Sequence, residues 1–187
     1  MHMGVGKRVF EGAPRQMRVE LWKSSLQRRG VGVAAAKSFE HLLEVEVGDE
    51  AGADIDKDLA RTFPTTRRFA GSEGQAALRR VLRAYAALDP EVGYCQGMNF
   101  VGALLLSYLP EAEAFGALVV LMQDRGLRRY YSTDMALLQA HFWQLGRLMP
   151  PQLCARLEGV GVTPSLYAAS WLMTCYSADF PLSFSAR

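Results

Sequence analysis

Two short stretches carry the residues best suited to chemistry: Ile55-Asp56-Lys57-Asp58-Leu59-Ala60-Arg61-Thr62 and Gly93-Tyr94-Cys95-Gln96-Gly97-Met98-Asn99. Each offers one polar side chain, Arg61 or Gln96, from a setting that is otherwise apolar or bracketed by glycine. An arginine can neutralise charge on a transferring phosphoryl group, and a glutamine can orient an attacking water. Presented together to the nucleotide site of another protein, the two would form a complementary pair.

The spacing of the first stretch has a geometric consequence. On a helix over 52–62, Ile55, Leu59 and Thr62 share one face; Asp58 lies about 60° round from Ile55 and Arg61 about 60° beyond that. Ile55 would anchor the turn and Arg61 would stand at its rim. Asp58 and Arg61 are three apart, so the carboxylate can restrict the guanidinium to few rotamers and lower the entropy lost on docking. Phe63-Pro64 turns the chain out of helix, which predicts Arg61 in the last turn, where the helix dipole favours a cation. Taken alone, the octapeptide also reads as an ordinary surface arginine with an intrahelical ion pair.

The second stretch is harder to read as packing. Gly93 and Gly97 at its two ends permit backbone angles and close approaches that other residues resist. Tyr94 and Gln96 would face the same way in an extended segment, so a bend between them lets one plug the core while the other projects. A neutral amide both donates and accepts, as the placing of a water requires. A glutamine that ties down its own loop through backbone hydrogen bonds is the competing reading.

The elements that must position these residues read as helical. Leu78, Val81, Leu82, Tyr85 and Leu88 keep the 3/4 spacing of one helix face, with Ser72 and Gln75 as a capping box and Asp89-Pro90 as a stop. Met135, Leu138, Phe142, Leu145 and Met149 repeat the stripe, with Thr133 as cap and Pro150-Pro151 as stop. Pro110, Pro151 and Pro164 stand where first turns would begin. The pattern predicts helices near 15–29, 34–47, 52–62, 73–88, 98–109, 111–123, 134–148, 151–158 and 164–177, and no strands. The expected fold class is all-α: one multi-helix domain over 15–187, preceded by an extension over 1–14.

Composition narrows the function classes. The chain has 187 residues, half of them hydrophobic and 21% charged, with a net charge of +2, so nothing in the bulk balance calls for a nucleic acid or an anionic membrane. Cys95, Cys154 and Cys175 are far apart and odd in number, which fits a reducing cytosol and neither a disulfide framework nor a metal site. The apolar run from Phe100 to Leu109 stops at Pro110, well short of the roughly 20 residues of a membrane span. Asp54, Asp56 and Asp58 open like a calcium loop, but Leu59 and Thr65 stand where glycine and glutamate are required. Gly4-Val5-Gly6-Lys7 lacks the earlier glycine of a phosphate loop and has Arg8 in place of Ser or Thr. His2, His41 and His141 are isolated, and Arg125, Arg128 and Arg129 read as a solvated helix end.

In this order and spacing, the two stretches resemble the TBC-domain family, whose members are GTPase-activating proteins for Rab-type small GTPases. The family patterns I-x-x-D-x-x-R and Y-x-Q are met by Ile55, Asp58 and Arg61 and by Tyr94 and Gln96. Arg18-x-x-x-Trp22, Phe63-Pro64, Leu88-Asp89-Pro90, Tyr108-Leu109-Pro110, Tyr130-Tyr131-Ser132, and Tyr167 with Trp171 agree, from about Arg18 onward. The resemblance implies an all-helical domain in which Arg61 is an arginine finger and Gln96 a glutamine finger. Asp58 would orient Arg61, and Ile55, Tyr94, Gly93 and Gly97 would support the pair. Mg²⁺ and GTP would belong to the partner, a Rab-type GTPase in its GTP form, with no cofactor held by this chain. It implies a cytoplasmic protein of membrane trafficking, recruited peripherally through that partner; the alternative is a non-catalytic Rab-binding scaffold. Two departures stand out: Gly116 occupies a position where many members carry tryptophan, and the chain ends at Arg187 where the family continues into further helices. The domain is therefore expected to lack its C-terminal helices, leaving an apolar face on the helix near 164–177 uncovered.

Overall fold

The structure, a computed structural model, describes residues 14–27, 30–131 and 134–186. Residues 1–13 of the extension over 1–14, with Gly4 to Arg8 and His2, and the Thr133 cap lie outside the described residues. Among the described residues ten α-helices follow in order: α1 (Arg15–Gln27), α2 (Gly30–Leu43), α3 (Asp49–Leu59), α4 (Ser72–Leu88), α5 (Met98–Leu106), α6 (Glu111–Val119), α7 (Ala136–Leu148), α8 (Pro151–Gly159), α9 (Pro164–Met173) and α10 (Leu182–Ser185). A π-helical turn, Val120–Asp124, prolongs α6, and a 3₁₀ turn, Leu127–Tyr131, leads towards α7. No strand occurs among the described residues.

The helix α5 sequence, MNFVGALLL, has no polar face, and accordingly nearly all of it is buried. It packs against α4, α6 and α3, and the stripe Leu78, Val81, Leu82 and Tyr85 of α4 joins it in one core with Phe115 and Leu118 of α6. Burial of each such side chain contributes about 1.5–3 kcal/mol, which makes α4, α5 and α6 the rigid base of the molecule.

Helix α2 starts at Gly30, earlier than the expected boundary at 34, and ends at Leu43. Close packing of α2 on α6 accounts for the glycine at 116 inside α6: a Cβ there would lie 2.4 Å from the carbonyl oxygen of Gly32. The two backbones touch there, so a side chain as large as the tryptophan that the resemblance leads one to expect at 116 has no space in this chain.

Several expected boundaries move for local reasons. The Ser72/Gln75 capping box does not form; Gly71 is the N-cap, and Gln75 Nε2 donates to the Phe69 carbonyl at 3.2 Å. Pro151 and Pro164 begin their helices as predicted, whereas Pro110 caps α6 from one position earlier. Helix α9 ends at Met173, short of 177, because Cys175 and Tyr176 take positive φ values of 50° and 64°. Of the stripe expected on α7, Leu138 is buried while Met135 is exposed in a left-handed turn. Leu148, Val160 and Leu166 in this region are also exposed, and Tyr167, Trp171, Tyr176, Phe180 and Phe184 form a chain of ring contacts along it.

Candidate functional site

Helix α3 has Asp49 and Glu50 in its first turn, where the helix dipole favours anions, and Ile55 and Leu59 pointing into the core. It stops at Leu59, so Arg61 lies on the turn just beyond the helix and not in its last turn. Thr62 supplies the reason. In a continuing helix its N–H would bond to the Asp58 carbonyl. Instead its hydroxyl takes that carbonyl at 2.6 Å, and its N–H bonds to the Leu59 carbonyl at 3.2 Å. Phe63 then reverses the chain at φ 46° and places its ring against Phe69 and Phe100.

Asp58 occupies the junction. One carboxylate oxygen holds Arg61 Nη2 at 2.5 Å, and the other accepts the Tyr94 hydroxyl at 2.6 Å. The Asp58 side chain is 6% exposed and that of Arg61 51% exposed, so a sheltered anion grips the base of a projecting cation. A carboxylate held from both sides is a firm mount for a guanidinium. Burial, followed by the bond to Asp58, pushes the Tyr94 hydroxyl well above the usual phenol range, so it remains a donor.

The loop 93–97 is the opposite wall. Gly93 and Gly97 have φ of 60° and 108°, and the bend between them separates the two polar side chains. Tyr94 is half-buried against the core while Gln96 is exposed, and among the described residues the Gln96 amide makes no hydrogen bond. That removes the reading of Gln96 as a tie for its own loop. Asn99 does the tying: its Oδ1 accepts the Gly97 N–H at 3.0 Å and its Nδ2 donates to Thr62 Oγ1 at 2.7 Å. The loop is also secured from behind. Arg128 donates to both oxygens of Asp89, at 2.7 and 3.0 Å, and to Glu91, while Asp89 accepts from Tyr85 and from the Val92 N–H. Arg128 is thus a brace, contrary to its reading as part of a solvated helix end. Its guanidinium holds the Asp89 carboxyl below the usual range.

All the predicted site residues therefore meet at one place: Ile55 beneath α3, Asp58 and Tyr94 bonded to each other, the two glycines at the loop ends, and Arg61 and Gln96 projecting. Sequence reasoning missed Thr62, Asn99 and Arg128. Asn99 had a visible signal, being a lone amide inside the apolar run Met98 to Leu106. The aspartates of the apparent calcium loop diverge: Asp54 pairs with Lys57, Asp56 with Arg79, and Asp58 with Arg61. No cluster of metal-ligating side chains occurs among the described residues. A cleft of about 750 Å³ near Arg67, Arg80 and Glu111 includes neither Arg61 nor Gln96. The polar pair is on open surface, suited to a macromolecular partner and not to an enclosed small molecule.

A family model, the Rab-GTPase-TBC domain, matches residues 15–187. TBC1 domain family member 1 of Homo sapiens is 40% identical over 199 residues, covering 100% of this chain and 16% of that protein. GTPase-activating protein GYP5 of Eremothecium gossypii is 35% identical over 185 residues, covering 97% of this chain and 21% of that protein. The chain thus spans less than a quarter of the length of these relatives. Among solved structures, the Chlamydomonas flagellar RabGAP TBC domain aligns with a TM-score of 0.76 at 26% identity, over 93% of this chain and 60% of that one. The Ypt/Rab-GAP domain of Gyp1p aligns at 0.72 and 20% identity, over 94% and 68%, a likeness of fold alone. Matched by the family model from Arg15 to its last residue, the chain belongs to the Rab-GTPase-TBC domain family.

Proposed function

We propose that the chain accelerates GTP hydrolysis on a Rab-type small GTPase in its GTP form, supplying Arg61 and Gln96 in trans. The observation that carries this reading is the pairing of two exposed polar tips with buried, mutually bonded supports, Asp58 with Tyr94 and Thr62 with Asn99. A fold that restrains the stems and leaves the tips open is prepared to meet a reacting group on another molecule.

In this mechanism the Arg61 guanidinium offsets charge developing on the γ-phosphate oxygens and the leaving oxygen. The Gln96 amide accepts from the attacking water and donates to the phosphate, taking the place of the partner's own glutamine. An arginine supplied in trans typically gains about 10³–10⁵ in rate, equivalent to about 4–7 kcal/mol of transition-state stabilisation. Mg²⁺ and GTP stay with the partner, and this chain holds no cofactor. No helix among the described residues is long and apolar enough to cross a membrane. We place the protein at the cytoplasmic face of trafficking membranes, recruited through the GTPase.

Single-turnover phosphate release from a panel of GTP-loaded Rab-type GTPases tests the reading, with the unmodified chain beside Arg61→Ala and Gln96→Ala. Acceleration on some members, abolished by either substitution, is the expected result. A folded chain that binds a member without accelerating it is a scaffold, and the proposal falls.

A further inference from the structure

Two wholly buried polar side chains, Thr62 and Asn99, touch none of the reacting groups just described, and both are 0% exposed. Apolar residues would fill such positions without the cost of removing hydroxyl and amide groups from water. Their bonds form one continuous path. The Thr62 hydroxyl donates to the Asp58 carbonyl and accepts from Asn99 Nδ2, and Asn99 Oδ1 accepts the Gly97 N–H. Because a backbone N–H can only donate, the orientation of the Asn99 amide is fixed.

The ends of this path are adjacent to the two projecting side chains. Thr62 immediately follows Arg61, and its hydroxyl terminates α3 where Arg61 leaves it. The Gly97 N–H belongs to the peptide plane joining Gln96 to Gly97, so the Asn99 bond restricts the rotation that aims Gln96. Gly97 holds φ 108°, an angle open to glycine, so the bond secures a backbone that would otherwise be unusually free. Asp58 and Tyr94 make a separate tie on the other flank, three residues before Arg61 and two before Gln96. One tie is a hinge; two keep the segments in register.

We infer that Thr62 and Asn99 are positioning residues, a buried strut that fixes the Gln96 peptide against the Arg61 turn and thereby sets the maximal rate without contributing to affinity. The inference rests on the GTPase-activating reading. It separates from simple structural support because a strut between two tips acts on the transition state, whereas loss of fold acts on everything.

The test compares the unmodified chain with Thr62→Val, Thr62→Ser and Asn99→Ala on a GTPase that the unmodified chain accelerates. Maximal single-turnover rate and half-saturating concentration are measured, with a thermal melt of each variant. Binding is measured to the GTPase carrying GDP and aluminium fluoride and to the same GTPase carrying a non-hydrolysable GTP analogue. Misplacement of a catalytic group by an ångström costs about 10²-fold, so Thr62→Val is expected to lose about 10–100-fold in maximal rate with half-saturation changed less than about threefold. Binding to the aluminium fluoride form should weaken in step while binding to the analogue form holds, and Thr62→Ser should restore most of the rate. Asn99→Ala is read by the same criteria and decides the matter where Thr62→Val lacks a cooperative melt. Folded variants that keep the maximal rate, that raise half-saturation alone, or in which serine does no better than valine overturn the strut. Absence of acceleration by the unmodified chain on every GTPase overturns the underlying function, and is distinguished by needing no variant.

Discussion

Tyr94 and Asp58, 36 residues apart, are joined by a hydrogen bond of 2.6 Å from the phenol to the carboxylate, and the same carboxylate holds Arg61. The motif of the loop and the motif of the helix therefore share an atom group. Either one is incomplete without the other, because Asp58 without Tyr94 is a sheltered anion with one partner fewer.

Tyr94→Phe removes the phenolic oxygen and little volume. Loss of a hydrogen bond to a charged, sheltered acceptor costs about 1–3 kcal/mol, which urea denaturation should register. The maximal rate of activation should fall as Arg61 gains rotamers, with affinity for the GTPase nearly unchanged.

Arg61→Lys retains the charge and loses the planar guanidinium that pairs with Asp58 and that, in the proposed reaction, would meet a phosphate. A fall of at least about 10²-fold in maximal rate is expected in single-turnover assays, as for a misplaced catalytic group. The melting temperature should move little, since half of the side chain is in solvent.

Acid should act through Asp89. The hydrogen bonds from Arg128 depress its folded pKa most, opposed by burial and aided by Tyr85. Glu111 is depressed in the same sense by Arg80. A depressed carboxylate contributes stability that is complete above its unfolded pKa, about 3.9 for aspartate, and is lost as pH falls through the folded value. Arg128→Gln should therefore be less stable than the unmodified chain at neutral pH, and the gap in melting temperature should close as pH drops below about 4. A gap that stays constant from neutral to acid would count against this account.

The two loop glycines should differ in tolerance. Gly93 lies at φ 60° with nothing within 4 Å of the point where a Cβ would stand, so Gly93→Asn, whose residue visits that region, should fold and retain activity. Gly97 lies at φ 108° with the Thr174 side chain 3.5 Å from such a carbon, so Gly97→Ala should cost about 1–3 kcal/mol in a denaturant titration and impair activation.

Gly116→Ala tests the family departure. The added carbon would fall against the Gly32 carbonyl and force α2 away from α6. Overpacking of this kind costs about 1–3 kcal/mol, and the loss should appear in stability at unchanged maximal rate in the folded fraction.

What the sequence disclosed follows from the range of the forces involved. The α4 stripe was legible because helix periodicity is local, and Leu78, Val81, Leu82 and Tyr85 are all buried. Arg61 and Gln96 were legible because polar residues in constrained settings stand out. The end of α3 was not, because it depends on one hydroxyl competing with its own backbone for the Asp58 carbonyl. Arg128 looked like surface charge because its partner Asp89 is 39 residues away. The need for glycine at 116 was hidden for a similar reason: it shows only when the Gly32 carbonyl of α2 is seen against it.

The separation between the bonded halves of the site also has a kinetic side. Helix α3 and the loop 93–97 are divided by the whole of α4, so their junction closes a long segment of chain. Helices form on local contacts, whereas such closures wait on chain diffusion and loop entropy. During refolding, the far-ultraviolet signal should therefore recover ahead of GTPase activation, and no half-assembled species should show half the rate. Activity in this chain would serve as a late clock for its own folding.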